Sequence, residues 1–355
     1  MSTKQFFKNS FQKYKFFIFL VLVVAVSFFL GGFLLSNYYF EKFDNNHEMR
    51  EAKLGQLGYR YINPLLECDF KAKPNRNMNN VKANIEKIIN KDAYKKEIST
   101  ASVYYRDLNN GPWFGVNEDA DFSPASLIKV PVMMAYYYEA ENNPAVLEKE
   151  ILAEEDYDYS EQNIEPEYKL EKGKKYKVED LIERMLVYSD NYAYYLLLDN
   201  ISPEKIEKVY IDLGINLAKV DDPSGNILSV KSYSSLFRVL FNSSYLNKYY
   251  SEKALAILTR TKFYNGLVAG TPINIEISHK FGERRFLETG EVQLHDCGIV
   301  YYSDSPYLLC VMSKGQDLKK LVSFIEEVST IVFDYVKLNN QNKKWSFFRN
   351  MRKNK

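Results

Sequence analysis

Hydrophobic and polar positions set one N-terminal segment apart from the rest of the chain. Residues 16–35 carry no charged side chain and are interrupted only by Ser27, Gly31 and Gly32. At about 1.5 Å per residue, a helix of this length spans roughly the 30 Å hydrocarbon core of a bilayer. Lysines precede the run and acidic residues follow it, so the positive-inside rule places the N-terminus in the cytoplasm. The run is longer than the apolar part of a cleaved signal peptide and has no Ala-x-Ala site, and we therefore expect a retained single-pass anchor.

The rest of the chain divides into a stalk, one domain and a tail. We expect a cytoplasmic leader over residues 1–15, the anchor over 16–35, a polar stalk over 36–80, a folded domain over 81–338 and a basic, frayed tail over 339–355. The folded domain is thus expected outside the cytoplasmic membrane.

Within the domain, strand patterns occur at both ends and helical patterns in the middle. Alternating positions predict strands at 101–106 and 113–116, joined by the turn signal Asn109-Asn110-Gly111, and later strands at 275–281, 292–302 and 307–313. Helical spacing is found at 81–96, 126–140, 178–187, 193–199, 203–213, 232–241 and 318–336. This order predicts an α+β (α/β) fold in which one sheet is built from both ends of the domain and a helical lobe is inserted between them.

Composition excludes several classes of function. The net charge is +1, from 47 basic and 46 acidic residues, which gives no reason to expect nucleic acid as a partner. The three cysteines and three histidines show no metal-ligand spacing, so we expect no metal site. Cys297 and Cys310 fall on neighbouring predicted strands, where either a disulfide or two buried thiols is compatible with the sequence.

Three short motifs occur in an order that suggests serine acyl transfer. Ser-Leu-Ile-Lys (126–129) begins a predicted helix, Ser-Asp-Asn (189–191) lies between two helical segments, and Lys-Phe-Gly (280–282) lies on a late strand. Each pattern alone also occurs by chance, as in Ser202 to Lys205. Only the 126, 189 and 280 set combines order, element type and wide spacing.

This ordered set resembles the signature of class A β-lactamases and penicillin-binding proteins. The segments 102–108, 185–191 and 295–301 also look like this family, and the resemblance covers about residues 81–338. It implies the β-lactamase/transpeptidase-like fold, an antiparallel sheet flanked by helices with a helical lobe. It further implies a β-lactam or a cell-wall D-Ala-D-Ala peptide as ligand, with no cofactor. We expect a monomer.

The chemistry of the motif residues assigns their roles. Ser126, at a helix start, is the expected nucleophile, and Lys129, one turn later, is its base if burial or the charge of Lys280 lowers its pKa. By resemblance, Ser189 relays a proton to the leaving nitrogen, and Asn191 binds the substrate amide and orients Lys129.

The third motif is expected to bind substrate. The backbone N–H groups of Ser126 and Glu283 would form the oxyanion hole, Gly282 would let substrate lie along the strand edge, and Lys280 would attract the substrate carboxylate. Asp190 is expected to fix the turn rather than to react.

Two departures from the family change the expectation. Phe281 replaces the motif's threonine, whose hydroxyl usually bonds the substrate carboxylate, and Arg284 or Arg285 either compensates or is simply solvated. The link from 213 to 232 contains no glutamate to activate a deacylating water; its carboxylates, Asp221 and Asp222, are typical of a turn. We therefore expect slow release of any acyl group.

Several alternatives remain open from the sequence. His279 and His295 are either acid–base groups or, as we favour, packed structural residues. The activity is that of a β-lactamase or of a D,D-peptidase with slow lactam release. A non-catalytic sensor or scaffold that retains the fold is the alternative from a different class of protein.

Overall fold

An antiparallel sheet of five strands, which come from both ends of the domain, lies at the centre of the fold. The computed structural model describes residues 59–63, 76–109, 111–160, 164–215 and 227–353. In chain order the elements are α1 (Arg76–Ile89), α2 (Asp92–Lys95), β1 (Ile98–Asp107), β2 (Trp113–Val116), β3 (Asp121–Phe122), α3 (Lys129–Ala140), β4 (Glu150–Leu152), β5 (Lys175–Lys177), α4 (Val178–Val187), α5 (Asn191–Asp199), α6 (Pro203–Asp212), β6 (Leu228–Ser229), α7 (Val230–Phe241), α8 (Lys248–Leu258), β7 (Ile277–Arg285), β8 (Val292–Val300), β9 (Tyr307–Gly315) and α9 (Leu318–Lys353).

The sheet has the strand order β2-β1-β9-β8-β7, so the first and last strands of the domain pair in its middle. All nine residues of β8 are buried, because helices cover both faces of the sheet. One face packs against α1 and α9 in a cluster that includes Ile85, Val103 and Val328. The other face contacts α7. The edge strand β7 lies against the turn that contains Ser126, so the sheet edge and the helical lobe meet at that turn.

Residues 60–63, assigned to the stalk from the sequence, contact the domain. The backbone N–H groups of Arg60, Tyr61 and Ile62 donate to the carboxylate of Glu252 at 2.6, 2.8 and 3.1 Å. In the part of the chain that the structure describes, no helix is long and apolar enough to cross a membrane. The leader and anchor expected over residues 1–35 lie outside the described residues.

The predicted strands of the main sheet are present, but several helices differ from the prediction. The helix expected at 81–96 is divided into α1, which begins earlier at Arg76, and the short α2. The helix expected from Ser126 starts as a 3₁₀ turn, Ala125–Ile128, and becomes α-helical at Lys129. Pro131 fits there because a proline is tolerated in the first turn of a helix, where its missing N–H has no partner to lose.

The ends of the domain also differ from the prediction. The last helix, α9, continues to Lys353 instead of ending at Val336, so the residues expected to be frayed extend it. Cys297 and Cys310 face each other across β8 and β9 and form a disulfide, which was one of the two possibilities.

The helix α8 was missed from the sequence although it supports β7. The sequence signal for this helix is Asn247, an N-cap residue whose side-chain oxygen accepts a hydrogen bond of 3.0 Å from the N–H of Tyr250. Farther along α8, the carbonyl of Leu255 accepts a hydrogen bond of 2.8 Å from the Ser278 hydroxyl on β7. The strand that carries Lys280 is therefore braced by this helix.

Replacing Asn247 by alanine should destabilise the fold by about 1 kcal/mol, because the first turn of α8 loses its cap. The measurement is the free energy of unfolding of the full chain in denaturant. Ser202→Ala is the matched control, because Ser202 occupies the N-cap of α6 without a side-chain cap bond. Equal losses in the two variants would contradict the assigned role of Asn247.

Candidate active site

The turn that contains Ser126 is held in an unusual backbone conformation. Ala125 has φ +47°, a left-handed value that costs energy for a residue other than glycine. Leu127 fixes the turn, because its side chain is fully buried and its carbonyl accepts a hydrogen bond of 3.0 Å from the Tyr233 hydroxyl. Ser126 itself is partly exposed. The surrounding packing thus holds the strained turn and leaves Ser126 accessible.

Lys129 is the first residue of α3, and its amine is buried against the 189–191 loop. Its Nζ donates to Asn191 Oδ1 at 2.7 Å, to Ser189 Oγ at 3.1 Å and also to the Ser189 carbonyl. Burial lowers the pKa of Lys129 from 10.5 to about 7, although the negative charge of Asp190 acts in the opposite direction. A large share of Lys129 is therefore neutral near pH 7, as a general base must be.

The Ser189 hydroxyl lies between two lysines. Ser189 Oγ accepts hydrogen bonds from Lys129 Nζ at 3.1 Å and from Lys280 Nζ at 3.0 Å. Ser189 adopts φ +56°, so the loop reaches this position through a second left-handed residue. Both lone pairs of the hydroxyl are used by the lysines, which leaves its proton free to be donated.

Lys280 is completely buried, and its Nζ also donates to the carbonyl of Phe281 at 2.9 Å. Burial lowers the pKa of Lys280 well below 10.5, the charge of Lys129 lowers it further, and Asp296 opposes the shift. From the sequence, either burial or the charge of Lys280 was expected to lower the pKa of Lys129. In the structure burial is the main cause at both lysines, and the two amines donate to the same hydroxyl, so each disfavours the charge of the other.

Asp190 holds the middle motif in place. Its Oδ1 accepts the N–H groups of Tyr192 at 2.9 Å and Ala193 at 3.1 Å, which caps α5 and makes Asn191 the first helical residue. Burial raises the pKa of Asp190, while the two N–H donors and the charges of Lys129 and Arg184 lower it. This capping agrees with a turn-fixing role for Asp190.

Gly282 allows the closest approach between β7 and the Ser126 turn. A Cβ atom on Gly282 would lie 3.0 Å from the Pro124 carbonyl oxygen and 3.2 Å from the backbone nitrogen of Ser126. The strand edge at Gly282, and with it the next residue Glu283, therefore lies beside the backbone of Ser126.

The Ser126 hydroxyl and the Lys129 amine are close in sequence but, among the described residues, are not joined by a hydrogen bond. The three hydrogen bonds of Lys129 Nζ all go to the 189–191 loop. Catalytic hydrogen bonds are often long in structures without substrate and tighten once it binds. Tyr194, which the sequence did not single out, also lies near this amine, with its ring centroid 5.8 Å from Nζ. It is placed there because it follows Asn191 by three residues, nearly one turn of α5.

Phe281 and Arg284 are both engaged in contacts within the protein. The ring of Phe281 is buried and stacks on Phe263, with centroids 4.3 Å apart. The guanidinium of Arg284, considered from the sequence as a replacement for the missing threonine, donates to Ser123 Oγ at 2.9 Å and lies over the ring of Phe286. Arg284 is therefore engaged with the protein rather than free for substrate.

The two histidines near the site make buried contacts of the kind that structural residues make. His295 Nε2 donates to the carbonyl of Ser123 at 2.8 Å, and burial lowers the pKa of His295 to about 4. His279 pairs through Nδ1 with Asp296 at 2.9 Å, and both side chains are buried.

Asp221 and Asp222, considered from the sequence as possible deacylation bases, lie in 216–226, outside the described residues. In the described part of the chain, no group of three or more His, Cys, Asp or Glu side chains is placed to hold a metal ion.

Comparisons with known proteins agree with the resemblance. Residues 80–336 match the model of the beta-lactamase enzyme family. Among solved structures, PBP-A is similar with a TM-score of 0.60 and 22% identity, over 74% of this chain and 98% of PBP-A. A point mutant of PBP-A, described as an acyl-enzyme complex with penicillin G, has a TM-score of 0.60 and 21% identity, over 73% of this chain and 97% of that one. A beta-lactamase from Chitinophaga pinensis DSM 2588 has a TM-score of 0.62 and 19% identity, over 72% and 98%. No curated protein matches the chain.

The lowered pKa of Lys129 leads to a pH prediction. Only neutral Lys129 can take a proton, so the rate at which a fluorescent penicillin labels the full chain should rise with pH and reach half of its maximum near pH 7. Asp190→Asn keeps the capping oxygen but removes the charge that raises the pKa of Lys129, and should move the midpoint to lower pH. A midpoint near 10.5, the ordinary lysine value, would contradict the role of burial.

Proposed function

The chain belongs to the beta-lactamase enzyme family, and we propose that it is a serine acyl-transfer protein anchored to the outer face of the cytoplasmic membrane. Its ligands are β-lactams or cell-wall peptides of the D-Ala-D-Ala type. The observation that carries the proposal is the Ser189 hydroxyl bound by the amines of Lys129 and Lys280, next to the turn of Ser126. The anchor and the location rest on the apolar run over residues 16–35 and the lysines before it.

In the proposed acylation, Ser126 Oγ attacks the carbonyl carbon while its proton passes to neutral Lys129. A protonated Lys129 satisfies the three acceptors around it, and the neutral amine has a lone pair to receive that proton. As the carbon–nitrogen bond breaks, the nitrogen takes the hydroxyl proton of Ser189, which Lys129 replaces. Lys129 is neutral again at the end of the step.

The negative charge that develops on the carbonyl oxygen needs donors that are already in place. We assign these to the backbone N–H groups of Ser126 and Glu283, because Gly282 lets the strand edge lie against the Ser126 turn. Asn191, whose Oδ1 accepts from Lys129, is assigned to orient that lysine and to bind the amide of the acyl donor.

A penicillin-binding protein or β-lactam sensor is favoured over a fast β-lactamase by one sequence feature. The link from 213 to 232 contains no glutamate, so the general base that class A enzymes use to activate water is missing. A positioned general base contributes roughly 10²- to 10⁴-fold to a rate. The acyl group on Ser126 should consequently leave slowly.

Penicillin should form a covalent adduct on Ser126 of the full chain, found by peptide mass spectrometry. Ser126→Ala should abolish the adduct, and Lys129→Ala should slow its formation by about 10²-fold or more, because the base is lost. Ser202→Ala is the matched control, since Ser202 begins a Ser-x-x-Lys pattern outside the site and should be labelled like the wild type. An adduct that survives Ser126→Ala would refute the assignment.

Once formed, the adduct should last for minutes or longer, measured as the decay of fluorescence after excess penicillin is removed. Steady-state clearance of penicillin should be correspondingly slow. If the full chain clears penicillin rapidly, the proposed deacylation defect is wrong. Replacing Asp221 or Asp222 by asparagine would then show whether either is the base, since loss of that base traps the adduct.

A further inference from the structure

The last helix of the domain continues past the part of the chain that matches the family. The match to the beta-lactamase enzyme family ends at residue 336, whereas α9 continues to Lys353. At about 1.5 Å per residue, this continuation is roughly 25 Å long. It is a feature of this chain that the family fold does not account for.

The charge of the continuation differs from that of the rest of the chain. Residues 343–355 contain six basic residues and no acidic one, although the whole chain has a net charge of only +1. The basic residues are Lys343, Lys344, Arg349, Arg352, Lys353 and Lys355. Three aromatic residues, Trp345, Phe347 and Phe348, occur among them. Aromatic and basic residues in one short helix are typical of segments that lie in the interface of a membrane.

The spacing of these residues is that of an amphipathic helix. Phe347 and Phe348 precede Met351 by four and three residues, so the three positions share one side of a helix. Arg349 and Lys353 are four residues apart, and their positions fall on the opposite side. An apolar side and a basic side on one helix suit the acyl chains and the anionic headgroups of a membrane surface.

The domain places the start of this continuation beside the segment that comes from the proposed anchor. Both contact the turn between β8 and β9, residues 301–306. At the beginning of the turn, the Tyr301 hydroxyl donates to the carbonyl of Tyr61 at 3.2 Å, and the two ring centroids are 5.3 Å apart. Near the end of the turn, Asn340 of α9 donates through Nδ2 to Ser305 Oγ at 2.9 Å. The N-terminal segment and the basic end of α9 therefore meet the domain at one turn.

The groove between α1 and α9 supports the same placement. Asn80, near the start of α1, and Asn342 both line this groove. Asn340 is buried, whereas Gln341 and Asn342 are exposed, so α9 leaves the core at this point. An anchor joined to the chain at this end would let the basic residues after 342 reach the surface of the same membrane.

From this placement we propose that the C-terminal part of α9, residues 343–353, is a second membrane contact that binds anionic phospholipids of the outer leaflet. The apolar positions lie in the interface, while the lysines and arginines pair with headgroup phosphates. The inference goes beyond the acyl-transfer function and does not involve Ser126. It rests only on the proposed anchor, which keeps the helix near the bilayer.

The test follows Trp345 in the full chain, reconstituted into vesicles that contain brominated phospholipids, which quench tryptophan fluorescence on contact. One kind of vesicle is phosphatidylcholine alone, and the other also contains phosphatidylglycerol. The variant Trp345→Phe gives the background from Trp113, the other tryptophan of the chain. We expect quenching of Trp345 only when phosphatidylglycerol is present. Quenching should decrease as salt is raised, because salt screens charges at a surface.

The double variant Lys343→Gln, Lys344→Gln should lower the ratio of quenched to unquenched Trp345 about thirtyfold, since each lysine near an anionic surface contributes roughly fivefold. The double variant Lys319→Gln, Lys320→Gln is the matched control, because it removes another exposed lysine pair from the start of the same helix. Its quenching should equal that of the wild type. Penicillin labelling of Ser126 should be the same in both variants as in the wild type.

The outcomes separate this inference from the rest of the proposal. Equal quenching in both kinds of vesicle, or equal losses in the two lysine variants, would refute recognition of anionic lipid. Polyphosphate at the phosphate concentration of the vesicles should leave Trp345 quenched, and complete displacement would mean that the helix binds anionic polymers instead. A chain that is retained in the vesicles without quenching of Trp345 overturns this inference alone. If the chain is not retained at all, the proposed anchor fails, and this inference fails with it.

Discussion

Two buried lysine amines donate hydrogen bonds to one serine hydroxyl, and the rest of the site depends on this interaction. Removing an ammonium group from water favours its neutral form, and Lys129 and Lys280 are both buried with lowered pKa values. Two charged amines bonded to the same Ser189 oxygen would repel each other, so one proton is readily given up. The pair is thus prepared to exchange a proton with a neighbouring hydroxyl, which is what activation of a serine requires.

The backbone around this pair is arranged to bring three separate segments together. Ala125 and Ser189 both adopt left-handed conformations that cost energy. Ala125 directly precedes the first motif, and Ser189 is the first residue of the second. The cost is offset by contacts farther away: the buried side chain of Leu127 and the capping of α5 by Asp190. Gly282 then lets the edge of the sheet approach without a steric clash. Strain at the site is therefore maintained by packing in the lobe and by the sheet.

The main sheet and the motif residues could be predicted from sequence because they depend on local patterns. Alternation located β1, β2 and β7 to β9, and the motif order located Ser126, Ser189 and Lys280. The 3₁₀ turn before Lys129 and the helix α8 were missed, since a cap residue such as Asn247 is a weak signal by itself. The extent of the pKa shifts of Lys129 and Lys280 could not be inferred either. These shifts depend on how deeply each amine is buried, which is a property of the folded chain.

The alternation of β7 divides its side chains between the active site and the core. Lys280 and Gly282 face the lobe, where substitution would disturb Ser189 or the Ser126 turn. Phe281 faces the core shared with α1 and α9, where a large ring adds apolar burial and stacks on Phe263. The two sets of contacts are not independent, because the Lys280 amine lies 4.2 Å from the centroid of the Phe281 ring. A substitution at position 281 would therefore change the surroundings of the Lys280 amine as well as the packing of the core.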